Sequence, residues 1–380
     1  MEASSITFSF FLIFSGAAVL ASIALYTRQP LIIAYIALGA AIGPYGAKLV
    51  TDLALLSEVA HVGIIFLLFL LGLDMQPKAL LATLKKSTLV AAFSSLLFLG
   101  LSYALVRAFG YGHQEALVIG AAMMFSSTII GIKLLPTTVL HHRHIGELMI
   151  GLLLLQDLLA IVVLMILIGA GGEGEQSPYQ VVMSLATLPL LIGAAWACVR
   201  YILLPLITRF DRFHEYIFLL AIGWCLGLAE AAHALGLSAE IGAFIAGIAI
   251  ATSPIAQYIA VNLKPLRDFF LVLFFFSVGA RIPLGLLADV AFAALTLSIL
   301  VLVMKPVTYR FLLGGMSEKR ELAWDLGFRL GQASEFSLLI AYVASSTALL
   351  SDRGSLLIQA TTIITLLVSS YIVVFNFQSP

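Results

Sequence analysis

The chain has 380 residues, of which 62% are hydrophobic and 11% charged, and its 20 basic and 20 acidic residues leave no net charge. This balance does not fit a soluble domain, and it lacks the basic excess of a nucleic-acid-binding protein. Apolar runs of about 20 residues recur along the chain, each long enough to cross about 30 Å of hydrocarbon. The runs are continuous, whereas barrel strands alternate, so we predict an all-α polytopic membrane protein.

The predicted elements are about 13 transmembrane helices. In chain order they cover residues 5–27, 30–46, 53–73, 86–109, 114–135, 144–170, 178–207, 213–234, 237–253, 260–280, 284–313, 321–348 and 354–376. Lys and Arg residues indicate the orientation, because they are enriched on the cytoplasmic side. With the N-terminus outside, 13 of them lie at inner loops and span ends and four at outer ones. We therefore predict an extracellular N-terminus and a cytoplasmic C-terminus.

The two halves of the chain resemble each other. Residues 57–74 resemble residues 264–281 at a shift of 207, and the same shift relates Ser127 to Ser334. Because one six-helix repeat plus a linker helix makes seven spans, the second repeat would enter the membrane from the opposite side. Such inverted repeats are typical of secondary transporters, although two apolar, glycine-rich helices can also resemble each other by chance. The predicted repeats cover about 5–170 and 213–376, and the linker helix covers about 178–207.

Two matched spans, 114–135 and 321–348, place polar residues and a glycine in mid-membrane. Hydroxyl and amide groups at that depth can satisfy backbone groups that unwinding leaves without partners. We therefore expect both helices to be broken, the alternative being polar helices that only pack tightly. The polar residues are Ser126, Ser127 and Thr128 in the first span and Gln332, Ser334 and Glu335 in the second.

A carboxylate stands within the otherwise apolar run 151–170. Asp157 at that depth costs about 2.5 kcal/mol or more, so it is expected to face a cavity or a partner and to mark an ion or proton path. Gln156 adds a neutral oxygen, and potassium and sodium prefer oxygen ligands. A single titratable carboxylate favours the exchange of one cation for one proton. We predict a potassium or sodium site at Asp157.

A lysine lies deep in the eleventh span. Asp157 is the natural partner of Lys305, because each charge neutralises the other. The alternative is that the lysine extends to the inner membrane surface. Gln332 and Glu335 are three residues apart and would share a helix face. Glu335 would pair with Arg329 or with a residue across the bundle, as part of a structural network or of the ion site.

These residues resemble the monovalent cation:proton antiporter-2 family, most closely its Kef-type potassium/proton antiporters. The resemblance covers nearly the whole chain. It rests on LLLLQDLLAI at 152–161, SST at 126–128, LFFFSVG at 273–279, Lys305 and GQASEF at 331–336.

The resemblance implies a sodium/proton-antiporter-like fold with crossed broken helices, in a homodimer whose core domain moves against a dimerisation domain. It implies that Asp157 carries the cation or the proton, with Gln156, Ser127 and Thr128 beside the ion. Kef-type proteins usually continue into a cytoplasmic nucleotide-binding regulatory domain, so we expect one to follow the transmembrane antiporter domain of residues 1–380. The Kef-type loop that is tied to glutathione gating is acidic. Its counterpart at 257–265 has no carboxylate, so glutathione control is not expected here.

The sequence thus predicts a secondary active transporter and not an enzyme. It would exchange potassium, or alternatively sodium, for protons by alternating access and without net charge movement across a bacterial inner membrane. Asp157 would bind either ion and Lys305 would be its counter-charge. The supporting polar network would be Ser126, Gln332, Ser334, Glu335 and Arg329.

The expected partners are a second copy of the chain, the lipid bilayer, and a cytoplasmic regulatory domain or subunit; no nucleic acid is expected. No cofactor is expected in the transmembrane domain, and a nucleotide is expected only in the domain that would follow it. Other functional classes stay open: a gated potassium efflux channel, an organic-anion transporter and a non-transporting sensor.

Overall fold

The computed structural model describes residues 6–50, 53–74, 77–127, 144–170, 178–210, 214–235, 237, 239–251, 253, 255–315 and 319–376, and these residues are predominantly helical. The helices are α1 (Ile6–Tyr26), α2 (Leu31–Ile42), α3 (Leu53–Asp74), α4 (Pro77–Ala108), α5 (His113–Ala122), α6 (His144–Ala170), α7 (Pro178–Cys198), α8 (Leu204–Arg209), α9 (His214–Ala234), α10 (Ala239–Ala251), α11 (Ile255–Ala280), α12 (Leu287–Gly315), α13 (Arg320–Arg329), α14 (Glu335–Ser346) and α15 (Asp352–Asn376). A π-helical turn, Val199–Leu203, joins α7 to α8, and a 3₁₀ turn, Leu284–Leu286, precedes α12.

Many of the helices have the length and hydropathy of membrane spans. Among the described residues, six helical segments are long and apolar enough to cross a membrane: Ile6–Tyr26, Thr88–Ala108, Thr187–Arg209, Glu215–Ala234, Leu284–Gly315 and Asp352–Val373. Five shorter apolar segments accompany them: Leu31–Ile42, His61–Leu70, Gly151–Leu167, Ala239–Ala251 and Glu335–Ser346. The predicted all-α, multi-pass membrane architecture is therefore confirmed.

Some helix boundaries differ from the prediction. Helix α4 begins at Pro77 rather than at residue 86, and α11 begins at Ile255 rather than at residue 260. Hydropathy alone ended both spans where charged or amide side chains appear, but such side chains are compatible with a helix that extends beyond the hydrocarbon. Proline at the first helical position also suits the start of α4, because it lacks only a donor that would have no partner there.

The helices form two compact units. The first unit consists of α3, α7 to α10 and most of α11. Its apolar core includes Phe69 of α3, Cys225 of α9 and Ala246 of α10, all fully buried. Helices α3 and α10 approach each other closely at two glycines, because Gly72 lies against Phe244 and Gly247 against Phe69. Small residues at such crossings let membrane helices pack backbone to backbone.

Gly247→Ala should destabilise the first unit. The added Cβ would overlap the carbonyl oxygen of Phe69 and stand 2.9 Å from the Cα of Gly72. Overpacking of this kind costs about 2 kcal/mol, because two helices must move apart. The matched control is Gly223→Ala in α9, where nothing lies within 4 Å of the added atom and better helix propensity should stabilise the protein slightly. Thermal unfolding in detergent should therefore shift in opposite directions for the two variants, and equal shifts would contradict the close contact.

The second unit consists of α1, α2, most of α4, α5, α6 and α12 to α15. Helix α12 packs against α13 and α15, and α14 packs against α15, α6 and α5. Helix α12 continues through Pro306, and a Cβ added at Gly327 of α13 would stand 2.9 Å from the Cα of Pro306. All of the predicted site residues that the structure describes belong to this unit.

Candidate functional site

The main chain leaves the helical conformation within both of the spans that were expected to be broken. Helix α5 ends at Ala122, and residues 123–127 are non-helical, within the predicted span 114–135. Helix α13 ends at Arg329, and α14 begins at Glu335. The second interruption therefore covers residues 330–334. Each break exposes main-chain donors and acceptors that a membrane protein must satisfy internally.

Hydroxyl groups form hydrogen bonds with several main-chain groups at the second break. Ser334 caps α14 by accepting a hydrogen bond from the Phe336 N–H at 3.2 Å, and its own N–H donates to Ser337 Oγ at 3.2 Å. Ser337 Oγ in turn donates to the carbonyl of Ala122, the last residue of α5, at 2.6 Å. The N–H of Ala333 donates to Thr365 Oγ1 of α15 at 3.1 Å. The break is thus held by its own cap, by α5 and by α15.

Gln332 lies inside the break, not on a helix. Its Nε2 donates to the carbonyls of Arg329 at 3.0 Å and Ser127 at 3.3 Å, and its Oε1 accepts from Ser369 Oγ of α15 at 2.8 Å. The prediction that Gln332 and Glu335 share a helix face is therefore wrong. The helix is interrupted between them, and the amide serves the main-chain groups that the interruption leaves without helical partners.

The two charged residues that flank the second break, Arg329 and Glu335, have different described partners. Arg329 donates from Nε to Asp325 Oδ1 one turn earlier in α13, at 2.7 Å, and the arginine side chain is only 3% exposed. Glu335 stands in the first turn of α14, where a negative charge is favourable, and its Oε2 accepts from Ser334 Oγ at 3.4 Å. Arg329 thus forms an ion pair with Asp325, and the pairing of Glu335 with Arg329 or with a residue across the bundle stays a prediction.

Lys305 links the two breaks. Its Nζ donates to the carbonyl of Phe125 at 2.6 Å, to the carbonyl of Gln332 at 2.8 Å and to Ser126 Oγ at 3.3 Å. Three acceptors match the three N–H groups of an ammonium. The ring of Phe98 lies 5.3 Å from the same nitrogen, within cation–π range. Because the side chain is fully buried, the alternative that it extends to the membrane surface is wrong.

The acceptors of Lys305 lie beyond two helix C-termini. Phe125 follows the end of α5, and Gln332 follows the end of α13. Carbonyl groups at such ends carry partial negative charge, which favours a cation. Phe125 and Gln332 are also related by the shift of 207 residues that relates Ser127 to Ser334. The repeat and its inversion both stay predictions.

Gln156 of α6 is engaged on both sides of its amide. Its Oε1 accepts from the Ser126 N–H at 3.0 Å, and its Nε2 donates to the hydroxyl of Tyr309 in α12 at 2.7 Å. Ser126 Oγ donates to the carbonyl of Leu330 at 2.8 Å. The glutamine therefore holds the non-helical segment after α5 against α6. Its oxygen already has one donor, and its role as an ion ligand stays a prediction.

Asp157, the next residue of α6, is buried with 7% exposure. Within the part of the chain that the structure describes, its carboxylate has no hydrogen bond and no ion pair. The buried Lys305 donates elsewhere, so the predicted contact between the two charges is not among the described interactions. Asp157 is therefore a buried carboxylate that no described protein cation neutralises by contact.

The structure brings most of the predicted site together and adds residues to it. Gln156, Ser126, Ser127, Lys305 and Gln332 are connected by the bonds above, whereas Thr128 lies outside the described residues. The sequence signals for the added residues are weak: Tyr309 follows Lys305 by four positions on α12 and so shares its face, and α15 is rich in hydroxyl residues. The residues that were not predicted are Tyr309, Ser337, Thr365 and Ser369.

Comparison with known proteins gives matches over nearly the whole chain. A sequence profile of the family described as "Sodium/hydrogen exchanger, transmembrane" matches residues 10–377. K(+) efflux antiporter 6 and K(+) efflux antiporter 4 of Arabidopsis thaliana are each 30% identical over 348 residues, which are 89% of this chain and 58% of each relative. Iron transporter MagA of Paramagnetospirillum magneticum (strain ATCC 700264 / AMB-1) is 27% identical over 347 residues, which are 90% of this chain and 79% of MagA. The chain thus spans about 58% of the length of these two K(+) efflux antiporters.

A solved structure has the same fold. The sodium proton antiporter MjNhaP1 from Methanocaldococcus jannaschii, at pH 8, superposes with a TM-score of 0.72 over 98% of this chain and 100% of the other. The sequences are 16% identical, so the likeness concerns the fold. It confirms the fold class predicted from the sequence.

Proposed function

Because the chain belongs to the sodium/hydrogen exchanger transmembrane family, we propose that it is a secondary active transporter that exchanges a monovalent cation for protons. Its similarity to the K(+) efflux antiporters confirms the resemblance to Kef-type antiporters. The names of these relatives support potassium as the cation, and sodium is the alternative.

The observation that carries this proposal is the state of Asp157. A carboxylate buried to 7% exposure, with no hydrogen bond or ion pair from the described residues, is costly unless something neutralises it. A bound monovalent cation and a bound proton each remove that cost. Structural carboxylates such as Asp325 instead have an arginine at 2.7 Å.

Competition between the cation and the proton for Asp157 couples their transport. The carboxylate binds either the cation or the proton. After one is released, the other must bind before the negative charge of Asp157 can be buried again. With a single carboxylate exchanging one cation for one proton, the cycle moves no net charge. We propose that the transporter works by alternating access and that Asp157 is the carrier.

The remaining residues support the carrier. Lys305, with Ser126 and Gln332, keeps the main chain of the two breaks in place beside α6. Its proposed role as counter-charge to Asp157 needs no contact, because charges act over several ångströms in a medium of low dielectric constant. Gln156 and Ser127, with Thr128, are proposed to flank the ion.

The cellular setting follows from the sequence predictions. We propose a homodimer in a bacterial inner membrane, with the N-terminus outside and the C-terminus in the cytoplasm. A cytoplasmic nucleotide-binding regulatory domain or subunit would control it, without glutathione. Its substrates are the cation and the proton, and no further cofactor is proposed for the transmembrane domain.

The test is proton movement in proteoliposomes that contain a pH-sensitive dye. An imposed outward potassium gradient should drive protons inward and acidify the lumen, an inward gradient should alkalinise it, and a choline gradient should do neither. Repeating the experiment with sodium fixes the preferred cation. A rate that is independent of an imposed membrane potential would support one-for-one exchange.

A gated potassium channel gives a different result. It would pass potassium without obligatory proton movement, and its flux would rise with membrane potential. Absence of any cation-driven proton movement, with potassium flux present, would therefore overturn the antiporter proposal.

A further inference from the structure

The hydroxyl of Tyr309 belongs to a fully buried residue of the site that the proposed exchange does not use. The residue is fully buried in α12, and its ring packs edge-on against Phe98 with the centroids 5.7 Å apart. It lies one turn beyond Lys305 on the same helix. Its hydroxyl accepts a hydrogen bond from Gln156 Nε2 at 2.7 Å. It therefore connects the helix of the buried lysine to the helix of the buried aspartate.

The donors and acceptors of this chain fix the orientation of the Gln156 amide. The Ser126 main-chain N–H can only donate, so the atom facing it at 3.0 Å must be the amide oxygen. The amide nitrogen then faces Tyr309 and needs an acceptor. A phenol oxygen supplies that acceptor, whereas a phenylalanine at the same place would not.

We propose that Tyr309 is a positioning residue for cation binding. It acts through Gln156. The Tyr309 hydroxyl accepts a hydrogen bond from Gln156 Nε2, and this keeps Gln156 Oε1 hydrogen-bonded to the Ser126 N–H. The second bond keeps residues 125–127 in the conformation that binds the cation at Asp157. This inference rests on the proposed cation exchange. It does not make Tyr309 a ligand of the ion.

The expected consequence of Tyr309→Phe is a change in apparent affinity. Without its acceptor, the buried amide nitrogen gains by turning toward another partner, which releases the Ser126 N–H and lowers the fraction of molecules with an ordered segment. Apparent affinity falls in proportion to that fraction, and saturating cation restores it. We expect KM to rise about tenfold for potassium and for sodium alike, with kcat within about twofold of the wild type, since a tenfold change corresponds to about 1.4 kcal/mol.

The experiment measures cation-driven proton movement against cation concentration for the wild type, Tyr309→Phe and Tyr103→Phe. The control removes a hydroxyl that is also hydrogen-bonded, but to His113 Nδ1 at the start of α5, at 2.7 Å, and not to Gln156. Its kinetics should equal those of the wild type. A second readout needs no transport: the cation concentration that raises the unfolding temperature in detergent should also increase about tenfold for Tyr309→Phe.

Each outcome distinguishes the proposal from its rivals. An equal rise in KM for both cations, in kinetics and in thermal shift, supports the positioning role. A rise for one cation alone would mean that the hydroxyl is itself a ligand, and a lower kcat at unchanged KM would mean a structural role; either overturns the inference. If the wild type moves no protons, the proposed function fails, and the thermal shift by cations still decides the role of Tyr309.

Discussion

Asp157→Asn is expected to abolish cation-driven proton movement in proteoliposomes. The amide can neither release a proton nor carry the negative charge that holds a cation, so both halves of the exchange are lost together. Loss of a buried charged partner costs about 3 kcal/mol or more, which corresponds to at least about a 100-fold loss of cation affinity. Exchange at more than a few per cent of the wild-type rate would contradict the role of Asp157 as carrier.

The same variant should keep its thermal stability. If Asp157 were the contact partner of Lys305, removing it would leave a buried ammonium unpaired and destabilise the protein by about 3–5 kcal/mol. The described bonds of Lys305 instead go to two carbonyls and a hydroxyl. We therefore expect an unfolding temperature near that of the wild type in cation-free detergent. Asp289→Asn, which alters an exposed ion pair with Arg353, is the matched control and should change neither exchange nor stability measurably.

Lys305→Met should give the complementary result, with both stability and exchange reduced. Methionine preserves the length and apolar part of the side chain but donates no hydrogen bond. The carbonyls of Phe125 and Gln332 would lose this buried donor, and leaving buried acceptors without a partner costs about 3 kcal/mol in total. The measurements are the unfolding temperature in detergent and proton movement in proteoliposomes. Lys264→Met, at an exposed position of α11, is the control and should be close to the wild type in both.

The double variant Asp157→Asn with Lys305→Met distinguishes contact from action at a distance. Two charges that neutralise each other by contact would show recovery, because removing both is less harmful than removing one. The described contacts predict that the stability loss of the double variant equals that of Lys305→Met. Recovery of stability in the double variant would place Lys305 and Asp157 in direct contact.

The break between α13 and α14 could be predicted from the sequence because polar residues and a glycine interrupt an apolar run there. Gly331, Gln332 and Ser334 have no reason to lie in mid-membrane unless the helix opens there. The same information could not place Gln332 correctly relative to Glu335. Spacing along a helix applies only while the helix continues, and the exact residues at which it stops depend on hydrogen bonds from α15.

The partners of Lys305 could not be predicted from side-chain patterns. A sequence shows which side chains carry charge, and it therefore favours a pair between the buried ammonium and the buried carboxylate. The acceptors in the structure are main-chain carbonyls, which every residue has and which become available only where a helix ends. Tyr309 was missed for a related reason: a tyrosine in an apolar helix is typical of packing, and its hydrogen bond becomes visible only once α6 and α12 are adjacent.

The ammonium of Lys305 is a cation that is covalently attached to the protein. Its ammonium is surrounded by two carbonyls and a hydroxyl, the kind of oxygen environment that also suits a dehydrated alkali ion. Because the side chain is covalently attached, this positive charge remains in the protein throughout any transport cycle. The ammonium of Lys305 holds the main chain beyond the ends of α5 and α13 in place, and the cation proposed to bind at Asp157 would be the one that is transported. Raising the salt concentration should therefore saturate the proposed cation site at Asp157 without displacing the Lys305 side chain from its acceptors.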